Sequence, residues 1–288
     1  MADTSSELFS QRLSDRDLRR ITQLVEETAG IHLPEHKRSM VELRTARRAR
    51  AAGIADLAGY CDIVFSEAGE QERFRLIDAL TTNKTEFFRE ADHFAQLIDV
   101  VVPEVVRGRL AEAHGATPLR AWSAGCSSGE EPYTLAIVLA RYALLHPPLD
   151  FSVLGTDICS RTLEKAVTAV YGEEDITRVP PEYRNTAFLR NRNHDLRLVR
   201  VAPEIRQHVE FSRHNLLSDV PPVPEKFDVI FCRNVIIYFE RHTQIKVLEN
   251  LARALAPGGY LFVGHSEALH GMPLPLEHVG PTLYRKQC

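Results

Sequence analysis

The chain has 288 residues, 44% of them hydrophobic and 26% charged, with a formal net charge of −4 at pH 7. That length suffices for two domains and a substantial core, and the composition is that of an ordinary globular chain. The charge gives no global reason to expect nucleic-acid binding, and no stretch approaches the roughly 18 apolar residues of a membrane span. Cys61, Cys126, Cys159, Cys232 and Cys288 are too scattered for a disulfide framework or a CxxC metal signature, which indicates a reducing cytoplasm and no metal.

In chain order, the opening MADTSSELFSQRLSDRD is polar and lacks the apolar core of a signal peptide, so residues 1–13 read as a flexible tail. Ser14 is placed to cap a helix with Asp15 and Asp17 in its first turn, Leu18, Ile21, Leu24, Val25 and Thr28 on one face, and Gly30 as its stop. Pro34 starts another element, in which Lys37 to Arg50 carries six basic residues and one acid. Helical patterns recur around Leu57–Phe65 and Phe74–Leu80, so residues 14–90 are expected to form a small all-helical domain and its junction.

After Pro118 the pattern changes. The apolar runs LRAW (119–122), FSVLGTD (151–157), VEFSRHN (209–215), FDVIFCRN (227–234), GYLFVGH (259–265) and TLYRK (282–286) alternate with helical segments. This predicts an α/β domain over residues 91–288 with a Rossmann-like, doubly wound, mostly parallel sheet. Residues 185–208 are long for a connection, and Leu196, Val199 and Val201 alternate, so a small antiparallel β-subdomain is expected there. Doubly wound sheets bind ligands at the carboxyl ends of their strands. Here those ends are polar: Ser123, Asp157, Asn215, Arg233-Asn234 and His265-Ser266-Glu267.

The stretch LRAWSAGCSSGEEPYT (119–134) reads as a strand, a tight loop of small residues and a helix start. It lacks the Lys-Ser/Thr pair of a phosphate loop. Glu130 and Glu131 suit the helix dipole and repel phosphate, so a ligand with a ribose and positive groups fits better than a dinucleotide. Asp157 is placed either to hold ribose hydroxyls or to cap the helix SRTLEKAV. Asn215 either reads an adenine edge or forms a turn. Arg233 and Asn234 emerge at the top of an apolar run, with Tyr238 and Phe239 following, either as a substrate wall or as packing. In TTNKTEFFRE (81–90), Asn83, Thr85 and Arg89 offer donors and a cation; the structural alternative is a loop in which Thr85 starts a helix over buried Phe87 and Phe88.

With these motifs in order, joined by NLL and LAPGGYLFVGHSE, the chain resembles the CheR-type chemotaxis receptor methyltransferases over about residues 14–286. The resemblance implies S-adenosylmethionine as cofactor and S-adenosylhomocysteine as product. It implies cofactor contacts at Asn83, Thr85, Arg89, Glu131, Asp157, Asn215, Leu216, Arg233 and Asn234. The implied substrate is a glutamate side chain in the cytoplasmic domains of membrane chemoreceptors. An acceptor carboxylate with a pKa of about 4.3 needs no general base, so none of the histidines is assigned a catalytic role. Arg89 or Arg233 is expected to orient a carboxylate and Tyr238 to shape the acceptor pocket. The basic stretch Lys37 to Arg50 is either a solvated helix face or, with the inserted β-subdomain, a surface for receptor docking, without direct membrane insertion. The alternatives are a methyltransferase acting on another substrate and a cofactor-binding module without turnover. Two features depart from the family pattern: Cys159 stands where a second acid often follows the GTDI motif, and the subdomain segment FLRNRNHDLRLVR has no glycine.

Overall fold

The computed structural model describes residues 12–111 and 118–287. They divide into two compact units, one running up to Thr82 and including Tyr238–Glu240, the other comprising Asn83–Ile237 and the chain from Arg241 onward. The proposed tail falls largely on residues 1–11, which lie outside the described residues. Leu13 does not belong to a tail: it is buried, and its N–H donates to Glu42 Oε1 at 3.2 Å.

Among the described residues the first unit holds four α-helices: α1 (Asp15–Ala29), α2 (Arg38–Ala51), α3 (Leu57–Val64) and α4 (Glu70–Leu80). Ser14 caps α1 by accepting from the Asp17 N–H at 3.1 Å, and Gly30 ends it at φ 73°. Leu18, Ile21 and Val25 of α1 pack inward, as their spacing predicts. The basic stretch on α2 differs from the expected docking face. Arg48 forks onto Glu72 at 2.6 and 2.9 Å, and the Tyr60 hydroxyl donates to the same carboxylate at 2.9 Å. Arg44 donates to the Leu80 and Thr81 carbonyls at 2.9 and 2.7 Å, satisfying acceptors left over at the end of α4. Arg38 pairs with Asp15 and Glu42. These three cations brace the unit, which leaves Arg47 and Arg50 exposed and Lys37 lying 5.7 Å from the Tyr238 ring.

The second unit is built on a seven-stranded sheet of β1 (Leu119–Ala124), β2 (Phe151–Asp157), β6 (Val209–Arg213), β7 (Phe227–Cys232), β8 (Leu255–Val263), β9 (Leu276–Gly280) and β10 (Leu283–Lys286). Its order is β6-β2-β1-β7-β8-β10-β9. β1 runs parallel to both β2 and β7, with Ser123 level with Gly155 on one side and Phe231 on the other. β10 runs antiparallel to both of its neighbours, β8 and β9. Every residue of β7 is buried, as expected of a central parallel strand covered on both faces. The strand β9 was not foreseen: LEHVG is an exposed edge strand with no apolar run.

Helices α5 (Asp92–Gln96) and α6 (Val102–Ala111), joined by a π-helical stretch over Leu97–Val101, precede the sheet. Helix α7 (Glu130–Leu145) follows β1, α8 (Ser160–Thr168) follows β2, and α11 (Arg241–Ala254) precedes β8. The expected subdomain is a three-stranded antiparallel sheet of β3 (Val170–Gly172), β5 (Leu198–Val201) and β4 (Phe188–Arg190), with α9 (Pro181–Ala187) and α10 (Pro203–Arg206) beside it. It begins ahead of residue 185 because β3 joins it, a strand of three residues that carries no periodicity of its own. No helix among the described residues is long and apolar enough to cross a membrane.

Candidate active site

The strand order reverses between β1 and β7, and the candidate residues of the second unit gather at the carboxyl ends of those strands. The loop after β1 turns sharply. Gly125 and Cys126 donate their N–H groups to the Thr156 carbonyl at 2.8 and 2.9 Å. Gly129, at φ 94°, precedes α7 and has no room for a side chain, since a Cβ there would sit 2.8 Å from Ala166 Cβ. Between them Ser127 is left-handed at φ 51°. Its N–H donates to Asp157 Oδ2 at 2.8 Å, while Asp157 Oδ1 accepts from the Cys159 N–H at 2.9 Å. Asp157 therefore joins the loops after β1 and β2. It does not cap α8, whose cap position is Cys159 without a side-chain bond.

The segment expected to serve as the junction belongs wholly to this unit from Asn83 onward. Thr85 does not start a helix; it lies half-buried in an extended run that ends in a turn. Phe87 is buried edge-on against Tyr171 and Phe188, and the Phe88 N–H donates to Thr134 Oγ1 on α7 at 3.2 Å. The Asn83 carbonyl accepts from Ser127 Oγ at 3.1 Å. These anchors fix Arg89, whose guanidinium donates to the Lys84 carbonyl at 3.0 Å and to Asn234 Oδ1 at 2.7 Å. Four residues of this neighbourhood, Phe88, Glu90, Ser127 and Asn234, have positive φ without being glycine. Such backbone persists only where its surroundings over-determine it, and it concentrates at functional sites.

Arg233 and Glu131 form the centre. Arg233 Nε donates to Glu131 Oε2 at 2.8 Å, and Glu131 Oε1 accepts from Ser123 Oγ at 2.7 Å. The other Arg233 nitrogens donate to the Arg89 carbonyl at 2.6 Å, the Glu90 carbonyl at 3.4 Å and His93 Nδ1 at 2.8 Å. The Arg233 side chain is 1% exposed. Four of its five N–H donors thus go to protein groups, which leaves it little to offer a ligand carboxylate, contrary to one expectation above. Among the described residues the Arg89 guanidinium makes two such bonds, to Lys84 and Asn234.

His93 was not foreseen. With Nδ1 accepting from Arg233 and Nε2 2.6 Å from Thr282 Oγ1, the neutral ring with its proton on Nε2 fits. Burial, reinforced by the Arg233 charge, lowers its pKa from 6.5 to about 4. His93, Glu90 and His265 place donor atoms within 4.8 Å of one another, but both His93 nitrogens are already used and a guanidinium sits among them, so the trio suits no metal ion. Burial pushes the Glu90 carboxyl up, but the Asn234 amide and the Arg233 charge outweigh it and hold the group below its usual range. Glu130 is buried beneath its neighbour, bonded to Ser128 Oγ and 3.5 Å from Lys165 Nζ, and burial raises its pKa. That separates the two acids: Glu131 belongs to the network and Glu130 to the interior.

Asn215 adopts the turn reading, its Oδ1 accepting from the Leu217 N–H at 3.0 Å. The Leu216 carbonyl accepts from Asn250 at 3.0 Å, and Leu216 lines a cavity of about 160 Å³ with Trp122 and His214. That is below the roughly 300–1,000 Å³ of a whole-ligand pocket, so it admits part of a ligand at most. Tyr238 is not drawn into this network. It belongs with the helical unit, where its carbonyl accepts from the His32 N–H at 2.9 Å and Ile31 bridges Phe239. Glu90, Glu131, Asp157 and Glu267 outnumber Arg89 and Arg233, so the strand ends present a negative surround to a ligand.

The family described as "CheR methyltransferase, SAM binding domain" matches residues 83–284, and "CheR methyltransferase, all-alpha domain" matches residues 16–81. The chain is 42% identical over 272 residues to the chemotaxis protein methyltransferase of Salmonella typhimurium, covering 94% of this chain and 90% of that protein. It is 40% identical over 272 residues to the Escherichia coli protein of the same name, covering 94% and 91%. A solved N-methyltransferase, NodS from Bradyrhizobium japonicum in complex with S-adenosyl-L-homocysteine, shares 19% identity over 60% of each chain with a TM-score of 0.32, too distant to carry an argument.

Proposed function

The chain belongs to the CheR methyltransferase family, and from that premise we propose how its residues divide the reaction. The protein is an S-adenosylmethionine-dependent methyltransferase of chemotaxis signalling that modifies chemoreceptors. Its acceptor is the side-chain carboxylate of receptor glutamates, and its products are glutamate methyl esters and S-adenosylhomocysteine.

The observation that carries the reading is a pair of hydrogen-bonded clusters at the β1/β7 reversal, Asp157 with Ser127 in one and Glu131, Arg233, Arg89 and Asn234 in the other. Bound S-adenosylmethionine supplies an electrophilic methyl group on a sulfonium. The chain's residues hold that net-cationic molecule in a negative surround. Asp157, where the two loops meet, faces the ribose, with the Cys159 N–H and not a second acid keeping its carboxylate in place. Asn83, Thr85, Asn215 and Leu216 complete the cofactor contacts, the last two on the adenine side beside Trp122 and His214. Arg89 takes the cofactor carboxylate through donors not used by Asn234 and Lys84. Glu131 carries charge toward the cationic part of the cofactor and is aimed by Ser123 and Arg233.

No residue is needed as general base, because an ordinary glutamate is ionised at neutral pH. The protein contributes alignment of the reactants and exclusion of water, and alignment alone is worth about 7–11 kcal/mol in well-oriented systems. Docking on the receptor uses the exposed Arg47 and Arg50 together with the three-stranded subdomain, in the cytoplasm.

The test mixes the purified protein, methyl-labelled cofactor and receptor-rich membranes, then treats the product with mild base. Base-labile label on a receptor-sized band is expected. Base-stable label would move the reaction to another acceptor atom.

A further inference from the structure

We propose that Glu267 is a positioning residue for this reaction: its buried carboxylate sets the backbone of Asn234 and, through the Asn234 amide, the orientation of the Arg89 guanidinium. The inference rests on the reading that Asn234 and Arg89 serve the cofactor.

Glu267 is 4% exposed. Oε2 accepts from the Asn234 N–H at 2.7 Å and the Gly264 N–H at 2.6 Å. Oε1 accepts from the N–H groups of Val235, Ile236 and Ile237 at 2.8, 2.9 and 3.4 Å. One carboxylate thus gathers five backbone donors from the turns after β7 and β8. Burial raises its pKa and the N–H bonds oppose that rise. All five partners are donors, so the cradle fits the ionised, acceptor-only form.

The geometry reaches the site through Asn234. Its φ of 59° is left-handed, a conformation that asparagine tolerates at some cost and that the Glu267 bond to its N–H maintains. So held, its amide spans two site residues, accepting from Arg89 at 2.7 Å and donating to Glu90 Oε1 at 3.1 Å. Gly264 leaves space for the arrangement: a Cβ there would come within 2.9 Å of the Asn234 backbone nitrogen, its side-chain amide and Glu267 Oε2.

The test is a double-mutant cycle read by calorimetric titration of S-adenosylhomocysteine. In Glu267→Gln one oxygen becomes an NH₂ that faces N–H groups, so either Asn234 and Gly264 or Val235, Ile236 and Ile237 lose their acceptor, and the carboxylate's charge is lost in both orientations. Asn234→Ala and Glu267→Gln are each expected to raise the Kd about tenfold, and the double variant about as much as Asn234→Ala alone, because residues acting through one another are non-additive. The acceptor KM should stay unchanged. The core variant Val153→Ala, which lowers the melting temperature without touching the site, should leave the Kd unchanged. A raised Kd in Asn234→Ala with none in Glu267→Gln overturns the inference and leaves the cofactor reading standing, as do additive effects in the double variant. No change in either single variant overturns the cofactor reading itself. Where Glu267→Gln does not fold, Glu267→Asp, which keeps the charge one methylene short, carries the same cycle with a smaller expected rise.

Discussion

Glu72 in the helical unit and Glu267 in the sheet unit are both buried carboxylates, and each is satisfied in a different way. In the helical unit Glu72 meets the Arg48 guanidinium and the Tyr60 hydroxyl, so its charge is matched inside the fold. In the sheet unit Glu267 meets neutral backbone donors, and its charge is left for its surroundings. A matched pair braces and does little else, since its field is cancelled at short range. A carboxylate solvated by backbone dipoles contributes to the negative surround that a sulfonium cofactor needs. The same residue type therefore serves stability in one unit and the site in the other.

The largest effect expected from this contrast is on the helical unit. Removing one partner of a buried pair strands the other, so Arg48→Ala should cost about 3 kcal/mol of stability by denaturant unfolding. The affinity of S-adenosylhomocysteine should not change at temperatures where the variant is folded; a parallel loss of affinity would mean the two carboxylates do not divide their roles as described. Next in size is Gly264→Ala, which crowds Asn234 and Glu267 together. It should weaken cofactor binding about tenfold, with a smaller fractional loss of stability.

Acid should distinguish the units as well. His93 has a folded pKa of about 4, below its ordinary 6.5, so the unfolded chain binds its proton first. Its contribution to stability is complete above the unfolded value and declines as pH falls from 6.5 toward 4. His214, also lowered by burial, adds in the same direction. Glu72, held below its usual range against the pull of burial by Arg48 and Tyr60, loses its contribution only at still lower pH. Melting curves from pH 7 to 5 should therefore fall for the wild type and fall less for His93→Gln. Identical slopes would place the sensitive group elsewhere. The smallest effect belongs to the surface: reversing charge at Arg47 and Arg50 should raise the receptor KM a few-fold at low salt and less at high salt, with cofactor affinity unchanged.

Much of this was legible in the sequence because periodicity and strand-end chemistry act locally. Asp157, Glu131, Arg89, Arg233 and Asn234 could be picked out, and the six expected strands lie in the sheet, three on each side of the reversal point. What escaped depends on long-range pairing. Arg44 and Arg48 look like docking cations until Glu72 and the end of α4 are seen to claim them. Arg233 looks like a ligand-facing cation until His93, Glu131 and the Arg89 and Glu90 carbonyls are seen to claim four of its five donors. Glu267 was visible as a polar strand end, but no local signal announces a carboxylate that serves a turn some thirty residues upstream. The invisible strand β9 has the same origin: an exposed edge takes its place from its partner β10 and not from its own pattern.

The most direct measurement is the titration of S-adenosylhomocysteine into wild type and Arg89→Ala, with melting temperatures recorded for both. Arg89 is half-buried and makes only two of its possible bonds to protein groups, so its loss should shift the melting temperature little. The account predicts a rise in Kd of roughly 10–100-fold, the worth of a charge-assisted bond to a carboxylate. An unchanged Kd would contradict it and remove the cofactor from the carboxyl ends of β1 and β7.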